Sequence, residues 1–322
     1  MSLLRIVRDW TLPAAMVSGS GAYLLFAHVS WLDAAGRLFG PLVSSVLPVL
    51  LFLVLFVTFC KVDYHKLRPV GWHLRLSVLQ IAVVSAVMGI VAGFRLDGNS
   101  LVLAESLLCC IIAPTAAAAA VVTQKLGGQL EEMTTYTFVS NFITAVLIPT
   151  CFPLLEKSHD VSFVVAFSAI MREVVVVLLA PMLLGYVVKR WLSRVHQRIV
   201  GVKNLSYYLW AVMLMMVSGT TVRSIVQSQA SALLLGSIAF CALTACVCQF
   251  ALGRLTGCRF GRAVEAGQAL GQKNTAFAIW TANVYLNPLS SVGPGCYILW
   301  QNIINSIEIR QEQKRQRALA TS

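Results

Sequence analysis

Apolar residues occur in ten long blocks along this chain, and short polar or charged loops separate the blocks. A helix needs about 20 apolar residues to cross the hydrocarbon core of a bilayer. The pattern predicts ten membrane-spanning helices near 11–29, 41–60, 72–94, 101–124, 130–152, 172–191, 203–219, 230–253, 261–284 and 292–309. The apolar stretch 161–171 precedes Arg172 and Glu173, and we interpret it as a surface helix that leads into the membrane.

The ten predicted spans form two halves of five with the same spacing. Corresponding spans begin at 11 and 172, 41 and 203, 72 and 230, 101 and 261, and 130 and 292, so the offset stays between 158 and 162 residues. Because each half holds an odd number of spans, the halves must lie in the membrane in opposite orientations. The predicted fold is an all-α membrane protein of two inverted five-helix repeats, a plan of secondary transporters whose site lies between the repeats near the midplane.

Composition and charge add an orientation. Hydrophobic residues make up 58% of the chain and charged residues 12%, about half the charged fraction of a soluble domain. Nineteen of the 25 basic residues lie on the side of the termini: Arg5, Arg8, Lys61, Lys66, Arg68, Arg75, Lys125, Lys189, Arg190, Arg194, Arg198, Lys203, Arg254, Arg259, Arg262, Arg310, Lys314, Arg315 and Arg317. Four lie opposite, namely Arg37, Arg95, Lys157 and Arg223, and Arg172 and Lys273 fall at or inside spans.

Loops rich in lysine and arginine stay in the cytoplasm. We therefore expect a protein of the cytoplasmic membrane with both termini in the cytoplasm. The net charge of +12 follows from this topology, so no nucleic-acid partner is predicted, and the tail 310–317 is interpreted as a cytoplasmic flank.

Two predicted spans are interrupted near their centres. The fourth contains Ala113, Pro114 and Thr115, and a proline inside a helix removes a backbone donor and clashes with the preceding turn. The ninth, its counterpart in the repeat, carries the polar run 267–275. Because backbone groups freed at mid-depth need partners away from lipid, the two broken helices are predicted to cross beside a cavity. Their half-helix amino termini would offer N–H groups to an anion.

Lys273 gives the sharpest chemical signal, because it is the thirteenth of 24 residues in the predicted ninth span. A charged side chain at the bilayer centre costs ~2.5–3.5 kcal/mol on insertion scales, so some interaction must compensate it. Three functional interpretations are open: a clamp for a substrate carboxylate, a proton-titrating group, or a fixed internal cation. The structural alternative is a lysine that snorkels or lines a helix contact.

Polar side chains elsewhere are predicted to line the same cavity. Residues with three-and-four spacing are Thr134, Thr137, Asn141 and Thr144 in the fifth span, and Gln301, Asn305 and Glu308 in the tenth. The predicted substrate contacts are Thr115, Asn274 and Thr275, with Lys273 balancing charge. The predicted supporting polar residues are Gln80, Thr123, Thr137, Asn141, Gln272, Asn302 and Asn305. Of these, Asn141 and Asn302 are expected to tie open backbone groups. The alternative for such side chains is interhelical hydrogen bonding without a ligand.

Enzyme and metal chemistry find little support in the sequence. It contains no cysteine-x-x-cysteine pair and no histidine-glutamate-x-x-histidine motif, so neither a metal site nor a cofactor is predicted. No histidine within a span lies near a serine in a recognisable hydrolase motif. The remaining alternative to a transporter is a membrane sensor that binds a ligand without moving it.

The motifs at the two breaks resemble those of the bile acid:sodium symporter family. Segments 113–115 and 121–123 are similar to the family's proline-glycine-glycine-threonine and valine-valine-threonine, and 271–275 is similar to its glycine-x-glutamine-asparagine-serine. The tract 178–185 resembles its sixth helix. The resemblance covers nearly the whole chain and implies ten spans in inverted repeats, with crossed, broken fourth and ninth helices.

The resemblance also implies that the helices form two domains. A panel domain would hold the helices near 11–60 and 172–219, and a core domain those near 72–152 and 230–309. Organic anions would bind in the cleft between the domains, and two sodium ions behind the crossover. Moving one domain against the other would give alternating access for a small or amphipathic organic anion.

At the family's sodium-binding positions, this sequence differs. By the resemblance, the positions of sodium ligands fall on Ala119, Ala120, Met133, Ala269 and Lys273, and the ligands that are kept are Gln80 and Thr137. A cation site needs hard oxygen ligands and tolerates a neighbouring fixed positive charge poorly. Our hypothesis is that the Lys273 ammonium replaces a sodium ion, so that transport is uniport or is coupled to protons. A sodium-coupled symporter is the alternative.

Overall fold

A computed structural model describes residues 11–29, 33–155, 163–202, 205–228 and 230–321, and these residues form helices joined by short connections, without a β-strand. In chain order the helices are α1 Thr11–His28, α2 Asp33–Cys60, α3 Gly71–Phe94, α4 Gly98–Ile112, α5 Ala118–Lys125, α6 Leu130–Leu155, α7 Phe163–Val174, α8 Ala180–Trp191, α9 Ser193–Gly201, α10 Leu205–Ser228, α11 Ala232–Cys258, α12 Ala263–Gly271, α13 Thr275–Tyr285 and α14 Val292–Thr321. Of the predicted charge pattern, Arg5, Arg8, Lys157 and Lys203 lie outside the described residues.

Five of the described helical segments are long and apolar enough to cross a membrane: Gly71–Phe94, Leu130–Leu155, Phe163–Trp191, Tyr208–Ser228 and Ala232–Cys258. Shorter apolar helices are Ser45–Cys60 and Gly98–Ile112. Large apolar side chains on these helices face outwards, as on α3, where Leu74 is 70% exposed and Val78 57%. Apolar surface of this extent suits lipid rather than water, so the chain is an integral membrane protein.

Both predicted interruptions are confirmed. The fourth predicted span is divided into α4 and α5, and the ninth into α12 and α13. Ala113 ends α4 with an extended ψ of 144°, because the ring of Pro114 disfavours the helical conformation in the residue before it. At the second break Gln272 takes an extended ψ of 94°.

The predicted start of the sixth span was wrong. The chain is helical from Phe163 to Trp191, so the described part of the stretch 161–171 belongs to the spanning helix and is not a separate surface helix; residues 161 and 162 lie outside the described part. A π-helical segment, Val175–Leu179, lies between α7 and α8. It comes just before Pro181, whose missing N–H a wider turn accommodates. Glu173 is tolerated in the helix because its carboxylate accepts a hydrogen bond from the Tyr285 hydroxyl.

Helix α11 holds α12 in place through unusually close backbone contact. A Cβ atom on Gly253 would lie 2.3 Å from the Ala266 carbonyl oxygen, and one on Gly257 would lie 2.2 Å from the Arg262 carbonyl oxygen. Two glycines four residues apart form a flat stripe that lets helices pack backbone to backbone. Because α12 ends at the second break, this contact sets the position of the break within the molecule.

Candidate functional site

The two breaks are joined directly by their backbones. The Ala116 N–H donates to the Gln272 carbonyl at 2.9 Å, and the Asn274 N–H donates to the Pro114 carbonyl at 2.8 Å. Thr115 and Lys273 face one another in the resulting antiparallel bridge. Each break therefore satisfies backbone groups that the other leaves open, which is what a low-dielectric environment requires.

Lys273 is buried at the end of α4, with only 1% of its surface exposed. Its ammonium donates to the carbonyl oxygens of Ile111 at 2.9 Å and Ala113 at 3.1 Å. The carboxyl end of a helix carries partial negative charge, so the ammonium lies where the backbone itself attracts a cation. No carboxylate among the described residues forms an ion pair with Lys273, and its compensation comes from peptide dipoles.

Neutral side chains complete the cap of α4. The Gln80 amide donates to the Ile111 carbonyl at 3.2 Å and lies within 3.5 Å of the next two. The Thr144 hydroxyl donates to the Ile112 carbonyl at 2.8 Å, and the Gln249 amide donates to the Cys110 carbonyl at 3.2 Å. The last three carbonyls of α4 and that of its cap residue Ala113 thus all have side-chain donors from outside α4.

The corresponding end of α12 is capped without a cation. The Tyr297 hydroxyl donates to the Gly271 carbonyl and the Thr115 hydroxyl donates to the Ala269 carbonyl, both at 2.7 Å. The Tyr297 oxygen also accepts from Gln249 at 3.0 Å. Gln249 therefore links the two broken ends, since it contacts the cap of α4 and the cap of α12.

Replacing Tyr297 with phenylalanine tests this link. The ring is 0% exposed, so Tyr297→Phe keeps its packing but leaves the Gly271 carbonyl without its donor. A buried acceptor left unsatisfied costs roughly 1–3 kcal/mol, and we expect a loss of stability of that size by chemical unfolding. The exposed Tyr186 provides a control, because Tyr186→Phe keeps its ring contacts with Tyr64 and Trp191 and should change stability little. An equal effect of both substitutions would contradict the role of the Tyr297 hydroxyl.

The predicted substrate contacts lie at the join. Thr115 is 2% exposed, and besides its hydroxyl bond its N–H donates to the Ser140 oxygen at 2.9 Å. Asn274 caps the start of α13, where its side-chain oxygen accepts from the Phe277 N–H at 3.3 Å. Thr275 is 4% exposed. Through these hydrogen bonds, Thr115 and Asn274 stabilise the two breaks. Their contact with substrate stays a prediction.

The predicted supporting residues divide into bonded and open groups. Thr137 bonds within its own helix, to the Met133 carbonyl at 3.1 Å. Four buried oxygens of these residues have no hydrogen-bond partner in the described part of the protein: those of the Gln80, Asn141 and Gln272 side-chain amides and the Thr123 hydroxyl. Asn305 accepts from the Gln268 amide at 2.9 Å, beside Glu308. The open oxygens are acceptors for water or for a ligand donor.

The backbone contacts predicted for Asn141 and Asn302 are made by neighbouring residues instead. The Asn141 amide donates to the Met182 sulfur at 3.5 Å, whereas Ser140 and Thr144 on the same helix bond to the fourth-span break. The Gln301 side chain, and not the half-buried Asn302, accepts the Lys273 N–H at 3.0 Å. Ser140, Gln249 and Tyr297 were not predicted as site residues; for Ser140, the four-residue spacing to Thr144 was the available signal.

Four of the positions that the resemblance assigns to sodium ligands carry no side-chain oxygen. Ala119, Ala120, Met133 and Ala269 are buried in one hydrophobic cluster with Trp72, Leu76, Tyr136, Ala266 and Leu270. They bring no side-chain oxygen, and the Gln80 amide nitrogen is turned towards the α4 carbonyls that Lys273 also contacts. Hard cations take several oxygen ligands, and the side chains of Ala119, Ala120, Met133 and Ala269 supply none.

A cavity of about 510 Å³ lies between α10 and α13, with Leu47 of α2 also on its wall. The α10 wall includes Arg223 and Ser224, and the α13 wall includes Trp280 and Asn283. The Ser224 hydroxyl donates to the Asn283 side-chain oxygen at 3.2 Å and joins the two walls. This volume is typical of small-molecule sites.

Comparison with known proteins agrees with these features. Residues 48–228, more than half of the chain, match the model of the Sodium Bile acid symporter family. The match extends from α2 to the end of α10 and includes the first break. A comparison with curated proteins gave no match. The family expected from the motifs at the breaks is thus confirmed, and the chain belongs to the sodium bile acid symporter family.

Proposed function

We propose that the protein is a secondary transporter that moves a small or amphipathic organic anion across the cytoplasmic membrane by alternating access, without a bound sodium pair. The observation that carries this proposal is the Lys273 ammonium, buried against the Ile111 and Ala113 carbonyls at the end of α4. It supplies a positive charge at the crossover that is part of the chain.

The proposed topology has ten spans in two inverted repeats with both termini in the cytoplasm. Support comes from the constant offset between the halves and from the reciprocal backbone pairing of residues 114–116 with 272–274. A panel domain near 11–60 and 172–219 would face a core domain near 72–152 and 230–309. The cavity between α10 and α13 then lies between panel and core, and substrate would pass there as one domain moves against the other.

Lys273 explains how the crossover holds together without sodium. At the carbonyl end of α4, the partial negative charge of the helix needs compensation in a medium of low dielectric. The ammonium fills this need, and the hydrophobic cluster around Ala119 and Ala269 fills the space of the oxygen ligands. The proposed cycle is a uniport, or is coupled to protons if Lys273 titrates as the domains move.

Uptake into liposomes under imposed ion gradients tests the mechanism. Taurocholate is a suitable probe, because its sulfonate is permanently charged and crosses lipid poorly. We expect uptake into the vesicle interior that is unchanged by an inward sodium gradient. Stimulation by a proton gradient would identify the coupled form of the cycle, and no response to either gradient would identify the uniport.

The competing functions give different results in the same assay. Strong stimulation by sodium alone would defeat the proposal and favour the sodium-coupled symporter. Saturable binding of taurocholate without accumulation in the vesicles would instead indicate a sensor. Empty liposomes, and liposomes that contain a heat-inactivated preparation, provide the controls for passive leak.

A further inference from the structure

The cavity between α10 and α13 contains a cationic side chain that the crossover does not use. Arg223 is exposed to the cavity, and its Nε donates to the Gln227 side-chain oxygen at 3.1 Å. No carboxylate in the described ranges pairs with it, and no aspartate or glutamate lies on the cavity wall. The terminal nitrogens of the guanidinium thus lack an acidic partner among the residues that the structure describes.

The position of Arg223 is unusual for this sequence. Nineteen of its 25 basic residues are on the predicted cytoplasmic side and only four are opposite. A topological role therefore does not account for Arg223. A guanidinium presents a planar fork of donors that matches a carboxylate or sulfonate with two parallel hydrogen bonds. The Gln227 contact orients this fork from one turn away on α10.

The rest of the cavity wall suits the body of an amphipathic ligand. Leu47, Trp280 and Val284 provide apolar and aromatic surface, and Asn283 and Ser224 provide a small number of polar groups. Small-molecule sites combine mostly apolar walls with a few polar groups that fix orientation. The Ser224–Asn283 hydrogen bond joins α10 to α13 across the cavity, so a ligand bound here touches both of the parts that are proposed to move.

We propose that Arg223 is the residue that selects anions in this protein, by binding the single carboxylate or sulfonate of a ligand whose apolar body lies against Trp280 and Val284. This inference rests on the proposed function only for the statement that the ligand is then transported. The two cationic side chains have separate roles. Arg223 binds the anionic group of the substrate, and Lys273 stabilises the contact between the two breaks.

Two pairs of probes test the selection of anions on the full-length protein in nanodiscs. Each pair joins an anion to a neutral amide with a similar body: taurocholate with cholamide, and 2-naphthoate with 2-naphthamide. Isothermal titration calorimetry is expected to show that wild type binds at least one anion more tightly than its amide. Arg223→Gln should lower the affinity for that anion about tenfold, because a partly exposed charge pair is lost. Affinity for the amide should not change.

Salt and a matched control sharpen the test. The affinity of wild type for the anion should fall as ionic strength rises, because exposed charges are screened, and Arg223→Gln should lose most of this dependence. Arg223→Lys should recover only part of the affinity, since lysine lacks the fork. Arg95→Gln, at an exposed arginine outside the cavity and also on the predicted outer side, should behave as wild type.

The outcomes separate this inference from the proposed function. If wild type binds neither anion, or if Arg223→Gln keeps the preference of wild type for the anion, the role of Arg223 is wrong, whatever the transport assay shows. If the preference depends on Arg223 but neither anion accumulates in liposomes, the binding role holds and the transport proposal fails.

Discussion

Lys273→Met is expected to destabilise the purified protein and to abolish accumulation of its substrate. Methionine has nearly the length of lysine but no donor, so the Ile111 and Ala113 carbonyls lose a charged partner. The single Gln80 amide cannot satisfy the whole end of α4, and each buried acceptor left open costs roughly 1–3 kcal/mol. Because the substitution also removes a buried charge and its desolvation cost, we expect a net loss of about 1–3 kcal/mol.

Unfolding by titration with a denaturing detergent measures this loss, and Lys125→Met serves as the control. Lys125 ends α5 and is exposed, so the same chemical change there should leave both stability and transport near wild type. Lys273→Gln retains an amide donor and should fall between wild type and methionine. If Lys273→Met is as stable as the control variant and still transports, the internal-cation proposal is incorrect.

Gly253→Ala is expected to destabilise the protein, because it forces α11 away from α12. The new Cβ would lie 2.3 Å from the Ala266 carbonyl oxygen, whereas real Cβ atoms essentially never come closer than 3.0 Å to another heavy atom. Because that oxygen belongs to the backbone, it cannot rotate away. Helices α11 and α12 must then separate, which displaces the second break. Overpacking of this kind costs roughly 1–3 kcal/mol or more, and transport should fall with stability.

Gly236→Ala is the matched control, because Gly236 lies in the same helix and a Cβ there meets nothing within 4 Å. Alanine favours a helix over glycine by up to about 1 kcal/mol, so Gly236→Ala should be neutral or stabilising. Thermal unfolding of the two variants beside wild type measures the difference. Equal melting temperatures would show that α11 and α12 do not depend on the close approach at Gly253.

The interruptions could be predicted because their causes are local. Pro114 and the polar run 267–275 are visible in the sequence. A proline alone can be accommodated, as in α6, but a polar run at mid-span is costly on a helix that faces lipid, and this one lies in the repeat counterpart of the span with Pro114. The partners of Lys273 could not be predicted in the same way. They are the backbone carbonyls of Ile111 and Ala113. Because every residue has a carbonyl, the residue types do not indicate which carbonyls a distant side chain will contact.

The rotational orientation of a helix explains why two contacts were predicted for the residue next to the one that makes them. Adjacent residues of an α-helix point about 100° apart, and three-and-four spacing defines a face without fixing where that face turns. Ser140 took the backbone contact expected of Asn141, and Gln301 that expected of Asn302. The glycine pair 253–257 was readable as a packing motif, but its partner helix was not.

A cation that is covalently part of the protein has an electrical consequence for the proposed uniport. Lys273 returns to its starting place in every cycle, so it contributes no net current, and the charge carried per turnover is that of the cargo alone. An interior-negative potential of about 100 mV opposes entry of one negative charge by about 2.3 kcal/mol, or roughly fiftyfold in concentration. Without a co-transported proton, such a carrier discharges anions from the cell and does not gather them.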